Sequence, residues 1–424
     1  MKKEIEKVKN GYFASCPTGL EELLAAEIKS LRFDNQKYEK IEVVKGGVHI
    51  ICVSQLALEL MLASRIASRV YRKMFQFEIK EEKDLYHFAK DIKWKAVFDL
   101  NQTFKISVVQ GLSRNGEKRS KFKSSIFLSQ NFKDGIVDRY RIDSNGERPS
   151  VDKEQADISF LLRIEPNDNP HSQKENVTVL VDLCGAPLSH RGYRDTNFSA
   201  PLKENLAAGL VMLSGYTGEQ TLIDPMCGSG TIIIESLLIK AKIPPSYLAI
   251  HEIINNPDEH YWDFTKHNWF KKDKYILDNW NKLIHLYNTK AQDGFEFLES
   301  SKINTYASDN EKYAVNAITF NLKASDLTDF VTLTKEDACQ VKNNNNEGII
   351  ITNPPYGERI GEDRELPELY YNFGENLKNN FKGYSAYIFT GNLPLLKKIS
   401  LRTSKKTILY NGNIEARLAE YKLF

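Results

Sequence analysis

Three short stretches carry side chains whose types and spacing suit one chemistry. Asn353-Pro354-Pro355-Tyr356-Gly357 follows the apolar run GIIIT. Two adjacent prolines fix the loop and remove two backbone donors. What remains are acceptors, the side-chain oxygen of Asn353 and the carbonyl of Pro354. Two acceptors at the end of a strand suit an exocyclic amino group, which has two N–H bonds to give. They hold the nitrogen and draw its lone pair out of conjugation with the ring. Tyr356 adds an aromatic face on which a base can stack, an interaction of roughly 1–3 kcal/mol. Asn353, Pro354 and Tyr356 are therefore the candidate catalytic residues, and Asn353 also stands among the candidates that face a cofactor.

The second stretch is Asp224-Pro225-Met226-Cys227-Gly228-Ser229-Gly230-Thr231, between an apolar strand pattern and a helical one. Gly228 and Gly230 let the backbone approach a ligand without interference from a Cβ. The spacing is neither G-x-G-x-x-G nor a P-loop, because no Gly-Lys-Ser/Thr follows. A dinucleotide or ATP is thus a poor fit. A D-x-x-x-G-x-G turn suits S-adenosylmethionine, whose amino-acid end lies over glycines and which has no pyrophosphate to place. Asp224, Met226, Cys227, Gly228 and Gly230 are the candidate residues. The third element is a pair of acids at later strand ends. Asp309, after INTYAS, is placed for a bidentate grip on ribose hydroxyls; it is equally placed to cap the helix of EKYAVNAI, and both roles are compatible. Asp337, after DFVTLTKE, is placed to meet an adenine amino group.

These residues need a scaffold that brings several strand ends together. From Gly218 onward, strand and helix patterns alternate: QTLID, TIIIESLLIKAK, INTYASD, EKYAVNAITFNLKAS, DFVTLTKED, EGIIITNPPY, GYSAYIFTGN and KKTILYN. That alternation predicts a doubly wound, mainly parallel sheet. Residues 244–290 form a long insertion rich in Trp and Phe, expected to pack as helices. Ahead of residue 200 the pattern is α/β of another kind. GYFASC is a strand. Thr18 and Glu21 have capping-box spacing before GLEELLAAEIKSL. IEVVKGGVHIIC reads as a hairpin around Gly46-Gly47. SQLALELMLASRIASRVYRKM is expected as one helix, and VTVLVDLCGAPLSHRGYR as a strand pair with an exit loop. The expected helix Glu204–Leu213 follows a linker.

The chain has 424 residues, 41% hydrophobic and 27% charged, the balance of a globular protein of two to four domains. No apolar run approaches the ~20 residues of a membrane helix. The first residues carry charges without a continuous apolar stretch, so no secretory signal is expected. Five scattered cysteines without a C-x-x-C argue against a disulfide framework or zinc site and point to a reducing cytoplasm. No metal is expected. Net charge is only +2, but residues 1–200 hold 33 Lys/Arg against 28 Asp/Glu, and the remainder 25 against 28. The excess is concentrated in Arg114, Lys118, Arg119, Lys121 and Lys123. That cluster, with Arg191 and Arg194, is a candidate phosphate-binding surface.

The motifs DPMCGSGT and TNPPYGERI, with SHRGYR and SAPLKENLAAGL ahead of them, resemble those of the THUMP-containing RNA methyltransferases, among them the large-subunit rRNA guanine-N2 methyltransferases. The resemblance is highly specific from His190 to Phe424 and weaker before it. It implies a ferredoxin-like segment at residues 1–65, a THUMP RNA-binding domain near 45–165, a linker at 166–200 and a Rossmann-like methyltransferase domain at 201–424. By the same resemblance Asp224, Gly228, Gly230 and Asp309 bind S-adenosylmethionine, and Asn353, Pro354 and Tyr356 carry methylation of an amino nitrogen in RNA, 23S rRNA being the expected partner. THUMP sequences diverge too far for residue-by-residue transfer. Some bacterial relatives carry a second methyltransferase domain; with the chain ending at Phe424, a second activity is not expected. The N-P-P-Y motif also serves enzymes acting on DNA adenine N6 and on a glutamine side chain, and THUMP relatives methylate tRNA guanine. The basic N-terminal part favours structured RNA.

Overall fold

The computed structural model describes residues 5–32, 38–111, 119–167, 169, 171–194, 202–257, 261–342, 347–356 and 365–424. Two sheets organise them. The first is built from β1 (Glu6–Lys7), β2 (Gly11–Ser15), β3 (Lys40–Val44), β4 (Gly47–Ile51), β5 (Arg69–Ile79), β6 (Phe104–Gln110), β7 (Ile158–Pro166) and β8 (Glu175–Asp182). Its strands lie in the order β3-β4-β2-β5-β8-β7-β6, with β1 added alongside β5, and every pairing is antiparallel except β6 with β7. Helices α1 (Glu21–Ser30), α2 (Ser54–Ala63), α3 (Lys83–Asp91) and α4 (Ser125–Asp143) connect these strands. The long β5 joins two packing regions. On one side, α3 and α4 enclose an aromatic core of Trp94, Phe98, Phe104, Phe132 and Phe160, all fully buried. The indole N–H of Trp94 donates to the Ala89 carbonyl at 2.6 Å, so its polar edge is satisfied.

Three expectations for this half change. The run from Ser54 to Met74 is not one helix: it is α2 followed by β5. The buried Glu27 carboxylate takes the Ser64 hydroxyl at 2.7 Å and the backbone N–H groups of Arg65 and Ile66 at 3.0 and 3.2 Å. A helix cannot continue once a distant acid has claimed its next backbone donors. Thr18 does not cap α1. Its partner Glu21 instead accepts the N–H of Gly19 at 2.7 Å and of Gly46 at 2.9 Å, which pins the β3–β4 turn. Residues 166–200 are not simply a linker, since they hold β8, a central strand between β5 and β7; the expected strand pair is this one strand.

The second half contains α5 (Glu204–Leu213), β9 (Leu222–Asp224), α6 (Thr231–Lys240), α7 (Tyr247–Asn255), α8 (Asn268–Lys271), α9 (Lys274–Ser300), β10 (Thr305–Asp309), α10 (Lys312–Ala324), β11 (Thr332–Lys335), β12 (Gly348–Thr352), α11 (Leu366–Asn380), β13 (Tyr384–Thr390), α12 (Leu393–Leu396), β14 (Lys405–Asn411) and β15 (Ile414–Lys422). The strand order is β11-β10-β9-β12-β13-β15-β14. The first five strands are parallel, and β15 runs antiparallel to both β13 and β14. This is the doubly wound sheet the sequence predicts. The chain order reverses between β9 and β12, and in open α/β sheets the crevice at such a switch point takes the ligand. The described residues of 244–290 do pack as helices, around Trp262, Phe264 and Trp280 in edge-to-face contact at 4.9–5.2 Å. Among the described residues no helix is long and apolar enough to cross a membrane, and no cluster of three His, Cys, Asp or Glu side chains could hold a metal.

Candidate active site

The glycine turn after β9 is held from several sides. Asp224 ends the strand, fully buried, and accepts the N–H of Met226 at 3.2 Å. Burial pushes its carboxyl up to about 7, against the hydrogen bond from the Met226 N–H. The Cys227 N–H donates to the Ser308 carbonyl at 3.0 Å, and the Gly228 N–H to Asp309 Oδ2 at 2.9 Å. Asp309 Oδ1 accepts the N–H of Glu311 at 3.0 Å, so this acid clasps the turn; it does not cap α10, whose N-cap position is Glu311, and burial raises its pKa. From α10 the buried Asn321 donates to the Ser229 carbonyl at 2.8 Å. Burial keeps the Cys227 thiol neutral by holding its pKa well above the usual thiol range. Met226 is half-buried against the far face of the sheet.

The two glycines do different things. Both have positive φ, +52° at Gly228 and +78° at Gly230. A Cβ on Gly230 would lie 2.3 Å from Ile318 Cγ1, so this glycine lets the start of α6 pack closely against α10. A Cβ on Gly228 would meet nothing within 4 Å, so this one borders open space at the sheet's carboxyl edge.

Strand β12 lies beside β9, with Ile349 opposite Leu222 and Ile350 opposite Ile223. Asp224 and the rim after Thr352 therefore emerge one strand spacing apart, ~4.8 Å. In that rim Pro354 is buried, and the side-chain oxygen of Asn353 is buried with no hydrogen-bond partner. A buried acceptor left unmet costs about 1–3 kcal/mol, which marks a place for a donor from outside the chain. Tyr356 is half-buried. Its Oη accepts from Asn411 Nδ2 at 2.9 Å, and its carbonyl from Asn392 Nδ2 at 3.3 Å. The Tyr370 hydroxyl donates to the Pro355 carbonyl at 3.2 Å. Asp337, half-buried beyond β11, accepts the N–H of Cys339 at 2.8 Å.

The supporting residues Asn321, Tyr370, Asn392 and Asn411 escaped the sequence reading, because nothing local distinguishes them. A weak signal exists for Asn321, a lone amide on the apolar face of α10, where it is fully buried. Of the basic candidates, Arg119, Lys121 and Lys123 are exposed, and Arg119 and Lys121 line a groove of about 430 Å³ with Lys174, Asn167 and Gln173. Arg114 and Lys118 lie outside the described residues. Arg191 and Arg194 are corrected. Arg191 is 3% exposed and spends its guanidinium on Glu235 at 3.4 Å and on the carbonyls of Leu188 and Arg65 at 2.5 and 2.7 Å. Arg194 holds Glu204 at 3.1 Å, the Leu202 carbonyl at 2.7 Å and Thr231 Oγ1 at 3.3 Å. Both are structural ties that fasten the interdomain segment to α5 and α6, and neither is free for a phosphate.

A Rossmann-like sheet with a glycine turn at one strand end and an N-P-P-Y rim at the next defines a methyltransferase. The chain belongs to the family of RMKL-like methyltransferase domains, which matches residues 191–420. A RlmL ferredoxin-like domain matches residues 11–71 and a THUMP domain residues 80–168. The chain is 34% identical over 417 residues to the ribosomal RNA large subunit methyltransferase K/L of Colwellia psychrerythraea, covering 97% of this chain and 53% of that protein. It is 32% identical over 420 residues to the protein of the same name from Syntrophotalea carbinolica, with the same coverage. It thus spans about half the length of the curated relatives it matches. Among solved structures, one described as a possible methylase from Clostridium difficile 630 matches with TM-score 0.78 at 25% identity over 98% of each chain. SMU.472, solved with SAH, shares the fold with TM-score 0.75 at 23% identity, over 100% of this chain and 99% of that one. S-adenosylmethionine is the methyl donor of the family, and the open face at Gly228 and the acids Asp224 and Asp309 fit that group.

Proposed function

We propose that this protein methylates the exocyclic N2 amino group of a guanosine in large-subunit rRNA. The observation that carries this reading is the buried, unpartnered Asn353 oxygen, one strand away from the glycine turn. Asp224, Met226, Cys227, Gly228, Gly230, Asp309 and Asp337 would hold S-adenosylmethionine. When bound, this group supplies an electrophilic methyl on a leaving group already activated. The chain's own work is then alignment, the main source of rate for such a transfer. The target base, flipped from its stack, lies on Tyr356. Asn353 Oδ1 and the Pro354 carbonyl accept its two amino hydrogens and turn the nitrogen lone pair toward the donor. No dedicated base is required, because a methylated arylammonium loses its proton readily to water. Arg119, Lys121 and Lys123, with Arg114 and Lys118, would meet RNA phosphates, making binding salt-dependent. The names of the curated relatives favour large-subunit rRNA, and the scattered free cysteines favour work in a reducing cytoplasm.

The test is methylation of purified rRNA and tRNA by the full chain with labelled S-adenosylmethionine, followed by mass spectrometry of the nucleosides. Label in N2-methylguanosine from 23S rRNA is expected. Label in N6-methyladenosine, or in tRNA alone, would refute the proposed target.

A further inference from the structure

The β14–β15 hairpin reaches the rim from the antiparallel edge of the sheet. Asn411 is the last residue of β14, opposite Ile414 of β15. Its Nδ2 donates to the Tyr356 hydroxyl at 2.9 Å, across 55 residues of sequence. The same ring is bedded on Gly391, where an added Cβ would lie 3.5 Å from Tyr356 Cε2 and 2.9 Å from Ile414 Cγ2. Tyr356 is therefore fixed at two places by elements that the glycine turn does not touch: its hydroxyl by the hairpin and its ring edge by the β13 exit. Its backbone is fixed by a third, since Asn392 donates to its carbonyl at 3.3 Å.

We propose that Asn411 is a positioning residue for the target base. Resting on the function proposed above, the inference is that its carboxamide fixes where the far end of the Tyr356 ring lies and so places the surface on which the base stacks. An aromatic ring tethered only at its Cβ can rotate about χ2. The para oxygen lies on that axis, so its hydrogen bond fixes the swing of the ring about χ1, while the close approach of the ring edge to Gly391 limits χ2. The hairpin thereby takes part in substrate alignment although none of its residues needs to touch the cofactor.

The test is a double-mutant cycle with Asn411→Ala and Tyr356→Phe in the full chain. Each single change removes one end of the same hydrogen bond. Each is expected to lower kcat/KM for RNA about five- to tenfold, the factor of one such bond, with affinity for S-adenosylmethionine unchanged. The double variant should be no worse than either single one, since nothing is left to lose. A merely structural role for Asn411 would give losses that multiply, or a loss shared with cofactor affinity. Multiplying losses, or a fully active Asn411→Ala, would overturn the proposal. Asn353→Ala runs alongside. If it keeps full turnover, the rim itself is misassigned and this inference falls with it. If it is inactive while the Asn411 and Tyr356 losses multiply, only the inference about Asn411 falls.

Discussion

Alanine at Gly228 and alanine at Gly230 should separate cofactor binding from folding, though the two residues are two positions apart in one turn. At Gly230 the substituted residue meets two penalties. Left-handed backbone costs an L-residue ~1–2 kcal/mol. The new Cβ would also sit 2.3 Å from Ile318 Cγ1 and 2.6 Å from Cδ1, and overpacking of this kind costs ~1–3 kcal/mol. The sum is ~2–5 kcal/mol, or a Tm lower by roughly 5–15 °C for a domain of this size. At Gly228 only the first penalty applies, because the space beyond is empty of protein atoms. Gly228→Ala should therefore lose only a few degrees. It should nonetheless weaken S-adenosylmethionine binding about tenfold or more, since the methyl intrudes where the ligand must come close. Differential scanning fluorimetry without ligand and calorimetric titration with it read the two effects separately. A Gly228→Ala protein that binds the cofactor as tightly as the parent would refute the assignment of that open face. Equal destabilisation by the two variants would refute the distinction drawn from their surroundings.

Two other outcomes follow from buried charge. The folded protein holds a proton on Asp224 more tightly than the unfolded chain does, with a pKa of about 7 in place of 3.8. Its contribution to stability is therefore greatest in acid and is lost as pH rises from about 4 to about 7. A cationic ligand favours the ionised form, so at pH 7 binding should release about half a proton, and affinity should rise toward pH 8. Titration in two buffers of different ionisation heat measures this; no proton release at pH 7 in the parent, or unchanged release in Asp224→Asn, would contradict it. Arg191→Ala should leave the buried Glu235 without its ion pair, with the Tyr193 hydroxyl still donating at 3.2 Å, costing ~3–5 kcal/mol in denaturant unfolding, while the salt dependence of RNA binding stays as it was. A stable Arg191→Ala with a shallower salt slope would return Arg191 to the RNA surface.

What the sequence discloses and what it hides divide along local and non-local lines. The strand before Asp224, the glycine turn and the proline-stiffened rim are local patterns, each readable within about ten residues, and each is where the pattern places it. Charge is also readable, but burial is not. Arg191 and Arg194 look like Lys121 in a sequence, and only their partners on α6 and in the segment after α2 turn them inward. The same holds for the end of α2, which is decided by Glu27, more than thirty residues upstream. Strand β15 went unrecognised because its run, IEARLAEYK, is rich in helix formers; it is a strand because β13 and β14 pair on either side of it. Asn411 reaches Tyr356 only through that pairing.

The central claim is that Asn353 presents an acceptor to the nitrogen that is methylated. It is tested most directly by single-turnover methyl transfer from bound S-adenosylmethionine to rRNA in Asn353→Ala. Loss of one such preorganised contact in the transition state is expected to slow the step about 10²-fold or more, with cofactor affinity within a few-fold of the parent. A parent-like single-turnover rate in that variant would contradict the account.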